Sequence, residues 1–268
     1  MKKKLISSCL ISTSLMILES HTSFANEQVA SVQTPSTHNT RQSRTPYNFS
    51  GFYVGAFVGG TTMNTKVENF LDLTAIIPAE DTFINTLNFR KSSFMGNILL
   101  GYRKQFANQF IAGFELNGGF FNQNMEKNYD AQTPNLGILN LKMRLKRSYS
   151  IRPSLILGWA ITPRMAVLGS LGVGSSRFEQ TLQRTSAIAN QNTIHTAKQW
   201  AHSLVPGLGF EYALTPHFSL AASFHYEFFQ QLNFNLPGVF DTTSLDGVNR
   251  SNLKPAAYNY MVGIVYKF

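Results

Sequence analysis

The sequence predicts an all-β fold, an eight-stranded antiparallel transmembrane β-barrel, and three observations carry that prediction. Eight segments alternate apolar with small or polar residues at a period of two. Short turns alternate with long polar connections, the layout of short periplasmic turns and long extracellular loops. The chain opens on a secretory leader, and no later run reaches the roughly 20 apolar residues of a membrane helix. Composition agrees. Of 268 residues, 14% are charged and 13% aromatic, with 22 Phe and 10 Tyr. Mean hydropathy is −0.09. A helical membrane bundle and intrinsic disorder are both excluded.

The leader comes first. Lys2, Lys3 and Lys4 precede an apolar stretch from Leu5 to Leu18, and Ser23 and Ala25 are the small residues of a cleavage site. Residues 1–25 are therefore expected to be a signal peptide. Cys9, the only cysteine, leaves with it, so the remainder has neither a disulfide nor a thiolate metal site. Residues 26–47 are rich in Gln, Thr, Ser and Asn, carry Pro35 and Pro46, and show no apolar period. They predict a flexible periplasmic segment, leaving 48–268 as the barrel.

The eight segments follow in order. The apolar rows are Phe52, Val54, Ala56, Val58; then Phe94, Ile98, Leu100, Tyr102; then Phe110, Ala112, Phe114, Leu116, Phe120. Next come Tyr149, Ile151, Leu155, Leu157, Trp159; then Met165, Val167, Leu171, Val173; then Leu204, Leu208, Phe210, Tyr212. The last two rows are Phe218, Leu220, Ala222, Phe224, Tyr226, Phe228 and Tyr258, Tyr260, Val262, Ile264, Tyr266, Phe268. Thr162-Pro163 and Thr215-Pro216 mark two of the short turns. The long connections are expected at about 66–88, 124–140, 179–197 and 232–253. The first is long enough for a short helix or a β extension. In lipid every backbone N–H and C=O must be paired within the protein, and a closed sheet does this without an edge. A soluble barrel would bury the bulky rows. Here the opposite face carries the Gly, Ala, Ser and Asn that a narrow eight-stranded interior admits.

The stretch Phe49–Gly60 (FSGFYVGAFVGG) resembles the first strand of small OmpA-like surface antigens of alphaproteobacteria. Tyr258–Phe268 (YNYMVGIVYKF) is similar to their closing strand. Tyr266 and Phe268 form the aromatic end resembling the signal that the barrel assembly machinery reads. The resemblance covers about residues 48–268 and implies a Gram-negative outer membrane. Members are described as porin-like proteins, major surface antigens or hemin-binding proteins.

Strand parity points a set of charges inward: Glu115, Arg152, Glu211, His225 and Glu227, with Arg103, Asn97, Asn117, Asn259 and Lys267. Unpaired charge in a narrow interior is costly. One reading is a salt-bridged plug in which Glu115, Glu211 and Glu227 face Arg152. The other is a narrow pore whose outer mouth, lined by Lys142, Arg144 and Lys146, favours anions. Arg90, Lys91, Lys127, residues 142–147 and Lys198 lie near the outer rim, where they suit the phosphates of outer-leaflet glycolipid. The hemin alternative comes from the resemblance; the histidines open to it are His195, His202 and His225. His195 and His202 stand more than about 20 Å apart if extended.

There is no nucleophile elbow, P-loop or zinc signature, so no enzyme and no cofactor are expected. Ser203 beside His202 is not a catalytic pair, because adjacent strand residues face opposite ways. The expected partners are outer-membrane lipid and glycolipid, the barrel assembly machinery and a host surface ligand. The chain is expected to be a monomer, and nucleic acid is excluded for want of a recognition motif.

Overall fold

The structure is a computed structural model, and it describes residues 47–72, 82–133, 137–186, 191–237 and 248–268. The leader and residues 26–46 lie outside the described residues. The strands are β1 Gly51–Asp72, β2 Thr82–Gln105, β3 Phe110–Thr133, β4 Gly137–Thr162, β5 Met165–Ser186, β6 Gln191–Ala213, β7 Phe218–Phe229, β8 Leu232–Pro237 and β9 Val248–Lys267. Antiparallel pairing runs from β1 through β7 to β9, and β9 closes on β1. This is the expected ring of eight.

The short β8 is the outer continuation of β7. Between Phe228↔Ala256 and Leu232↔Leu253 the register against β9 slips by one residue. Pro255 sits at that slip and has no N–H to give to a ladder.

The periplasmic turns are short for a local reason. The hydroxyl of Thr162 accepts from the N–H groups of Arg164 and Met165 at 3.2 and 3.0 Å. That of Thr215 accepts from His217 and Phe218 at 3.3 and 2.9 Å. Each threonine thus makes the turn that the following proline begins.

The predicted rows form the outside wall: Phe94, Leu155, Leu208 and Val262 are among the most exposed large side chains. Aromatics gather at both ends of this wall. Tyr149 meets Trp200 at 5.5 Å near the outer end, and Phe218 meets Tyr266 at 5.0 Å near the periplasmic end. Ten residues of β4 separate Tyr149 from Trp159. At about 3.3 Å per residue and a tilt near 40° this spans about 25 Å, the height of an outer-membrane apolar band. Arginine at Val262, near the middle of the band, will cost about 2–4 kcal/mol. Urea unfolding in lipid vesicles, read from unheated gel mobility, measures it.

The expected long loops are corrected. Residues 66–72 and 82–88 continue β1 and β2, and most of 124–140, 179–197 and 232–253 is likewise strand. The β extension is thus the form taken by residues 66–72 and 82–88, and residues 73–81 lie outside the described residues. Alternation persists above the girdle with its chemistry inverted. Met63, Val67, Phe89, Met125, Met143, Leu145, Phe178 and Leu253 are buried inside as one apolar cluster. Lys66, Arg90, Lys142, Arg144 and Lys198 are exposed outside, while Lys91, on the face of β2 that meets Met63 in the ladder, is exposed at the strand's edge. Water, not hydrocarbon, surrounds these segments, so their polar residues face outward and read as loop in the sequence.

Two seams open in this outer part. The β2–β3 ladder ends at Met95↔Phe121, although both strands continue. On the far side, among the described residues, β8 pairs with β9 alone, and β6 keeps no ladder beyond Gln230 N–H to His202 O. Above the membrane the ring therefore divides into two four-stranded sheets, β8-β9-β1-β2 and β3-β4-β5-β6. They face each other over the apolar cluster as a β-sandwich.

Candidate functional site: the filled lumen

From the periplasmic end upward, the lumen is filled layer by layer. Tyr47 and Phe49 turn into the mouth and pack with Ile111, Ala160, Ala166 and Ala213. Tyr47 N–H donates to Pro163 O at 2.9 Å, and Phe49 N–H to Gln105 Oε1 at 2.9 Å. The segment expected to be free through residue 47 is thus tied down at Tyr47.

Above this plug Arg103 grips Glu211 with both terminal nitrogens, at 2.5 and 2.6 Å. Its Nε donates to Phe49 O at 2.8 Å, and Ser219 Oγ donates to Glu211 at 2.6 Å. The guanidinium lies 4.5 Å from the Tyr53 ring centroid, a cation–π contact. Tyr53 Oη donates to Glu115 at 2.7 Å. Glycine is required opposite these rings. A Cβ at Gly101 would stand 2.5 Å from the Tyr53 ring, and one at Gly263 would stand 2.6 Å from Phe57.

Mid-barrel holds Asn97, which donates to Asn117 at 3.1 Å, and Arg152, whose Nη2 is 3.5 Å from His225 Nε2. A cavity of about 50 Å³ lies here, bordered by Glu115, Asn117, Ser170 and His225. The next layer is a second buried pair. Arg147 donates to Glu227 at 2.6 Å and to Ser176 at 2.9 Å, and Asn259 donates to Glu227 at 2.6 Å. Phe121 covers the Arg147 guanidinium at 3.7 Å. The sandwich core closes the top.

All five predicted lumen residues, Glu115, Arg152, Glu211, His225 and Glu227, line the interior. Their partnership is corrected. The glutamates do not converge on Arg152: Arg103 takes Glu211, Arg147 takes Glu227, and Glu115 meets Tyr53 and Asn117. Height along the barrel axis separates the layers, a quantity that parity does not carry.

Lys142, Arg144 and Lys146 are corrected as well. All three are exposed on the outside of the sandwich, while Met143, Leu145 and Arg147 point in. The register of β4 shifts by one against both β3 and β5 between Arg147 and Ser150. This bulge reverses the face of every residue beyond it. Arg147 was hidden by the same reversal. Met143 and Leu145, apolar in a segment too polar for lipid, are the signal that marks its face as inward. Outside, Glu126 bridges Lys142 and Arg144 at 3.1 Å each. The Lys142 hydrogen bond holds its carboxyl below the usual carboxylate range.

Phe268 is exposed at the periplasmic rim against Tyr266, 5.1 Å away, and its N–H donates to Phe52 O at 3.1 Å. His202 is outside, 2.8 Å from Ser175 Oγ, whereas its neighbour Ser203 is buried. His195 lies on the opposite face of β6 from His202, so the two do not converge on one iron. Among the described residues no three His, Cys, Asp or Glu are grouped to hold a metal ion.

Residues 48–268 match the family described as the OmpA-like transmembrane domain. Among solved structures the chain is similar to the outer membrane protein OprG from Pseudomonas aeruginosa, at 15% identity and a TM-score of 0.46, covering 84% of this chain and 98% of that one. It is similar to Neisserial surface protein A at 16% identity and a TM-score of 0.35, covering 82% and 98%. It is similar to Ail, the attachment invasion locus protein of Yersinia pestis, at 14% identity and a TM-score of 0.30, covering 78% and 99%. No curated protein matches.

Proposed function

Because the chain belongs to the OmpA-like transmembrane domain family and is an outer-membrane β-barrel, we propose that it is a closed structural surface protein. In this reading the membrane ring is an anchor, and the sandwich above it is the surface offered to a host ligand or to glycolipid.

One observation carries the reading: every level of the lumen holds buried side chains. The plug of Tyr47 and Phe49, two buried ion pairs and the apolar sandwich core follow one another along the axis. The two buried ion pairs, Arg103 with Glu211 and Arg147 with Glu227, tie opposite strands together across the lumen and hold the barrel shut. An anion-favouring pore would need cations at its mouth, and Lys142, Arg144 and Lys146 stand on the outside. The aromatic end at Tyr266 and Phe268, placed at the periplasmic rim, suits engagement by the assembly machinery. Planar-bilayer recording of the refolded protein tests the closed lumen. A flat baseline is expected; steady anion-selective steps would sink the reading.

A further inference from the structure

We propose that the seam between β2 and β3 binds a phosphorylated glycolipid of the surrounding outer leaflet, with Arg90, Lys91 and Lys127 holding the phosphate. The proposal rests on the membrane placement of the barrel and not on its closed lumen.

Above Met95↔Phe121 the two strand edges part. A cleft of about 550 Å³ opens between residues 88–91 of β2 and residues 124–127 of β3. Strand edges without a ladder expose backbone donors and acceptors. Here side chains take up acceptors. Lys91 Nζ donates to Asn124 O at 2.5 Å, Lys127 Nζ to Asn88 O at 3.4 Å, and Gln123 Nε2 to Lys91 O at 3.2 Å. With those carbonyls occupied, the cleft is rich in donors: two ammonium groups, the Arg90 guanidinium and edge N–H groups. The carboxylate lining it, Glu126, is held by Lys142 and Arg144, so its charge is already answered. An anion with several acceptor oxygens fits such a site, and charge-assisted hydrogen bonds to phosphate are the strong ones.

Position selects lipid as the source of the phosphate. Phe94 and Phe120 stand on the lipid-facing wall of the same two strands. Lys91 is three residues above Phe94, about 10 Å along the strand, which is headgroup level. Ile98 and Leu116 continue an apolar wall below, against which acyl chains can lie. Lys66 and Lys198, by contrast, stand away from the β2–β3 cleft and pair with Glu68 and Glu179.

The test uses the mature protein refolded in detergent micelles with bisphosphoryl lipid A, bound lipid being counted by native mass spectrometry. The triple variant R90Q/K91Q/K127Q should lose about tenfold or more in retained lipid, the scale of one or two charge-assisted contacts. K198Q should stay within about twofold of the parent, as a lost surface charge alone allows. Unheated gel mobility verifies that each variant is folded. If the triple variant does not fold, Lys127→Gln alone should still lower retention about threefold. Retention unchanged in the folded triple variant, or in Lys127→Gln where only that variant folds, would overturn the proposal, as would an equal loss in K198Q. Equal binding of the dephosphorylated lipid would overturn phosphate recognition. Displacement by millimolar inorganic phosphate would overturn the lipid source.

Discussion

Glu211→Leu will destabilise the barrel by about 3–5 kcal/mol, because it strands the Arg103 charge in a dry interior. Both side chains are essentially sealed from solvent, at 1% and 2% exposure. Arg103 would keep Phe49 O and the Phe49 and Tyr53 rings, none of which carries a countercharge. Pairing the change with Arg103→Met should restore most of the loss, since an apolar pair of similar volume is often as stable as a buried ion pair. Urea titration in lipid vesicles, scored by the unheated gel band, gives both numbers. A single variant as stable as the parent would show that the pair does not hold the lumen together.

Phe178→Ala will cost about 3–5 kcal/mol, the usual range for emptying a buried aromatic site. Its effect should be confined to the outer sandwich. Phe178 is fully buried, packs against Phe229 at 5.4 Å and stands in the cluster that joins the two sheets. Those sheets have no ladder across either seam, so side-chain packing is what holds them face to face in the outer part. The membrane ring keeps its closed backbone pairing. In vesicles the variant should be cut by protease in its outer strands much faster than the parent, while its unheated mobility still reports a folded barrel. Loss of the folded band together with the outer strands would mean that ring and sandwich are one cooperative unit.

These two sites differ in how they appear in the chain. Glu211 and Arg103 both stand on the small-and-polar side of segments whose other side is Phe210 and Tyr212, or Leu100 and Tyr102. Their inward aim is legible from alternation, though their pairing is not. Phe178 lies in a stretch with Arg177, Glu179, Gln180 and Gln183, whose polarity reads as loop. Alternation is present there too, but with the apolar side turned to a protein core and the polar side to water. A lipid-facing template applied to such a segment assigns it to no strand.

The sequence by itself determines the local things: which segments are extended, which row of each faces hydrocarbon, where the periplasmic turns lie, and that the barrel belongs in an outer membrane. Each follows from side chains two residues apart and needs no knowledge of a neighbour. Only the tertiary structure decides which charges meet, that β4 reverses its face at a bulge, and that the ring divides above the girdle. Those depend on register between strands distant in the chain, and one added residue turns every side chain beyond it to the other side of the sheet.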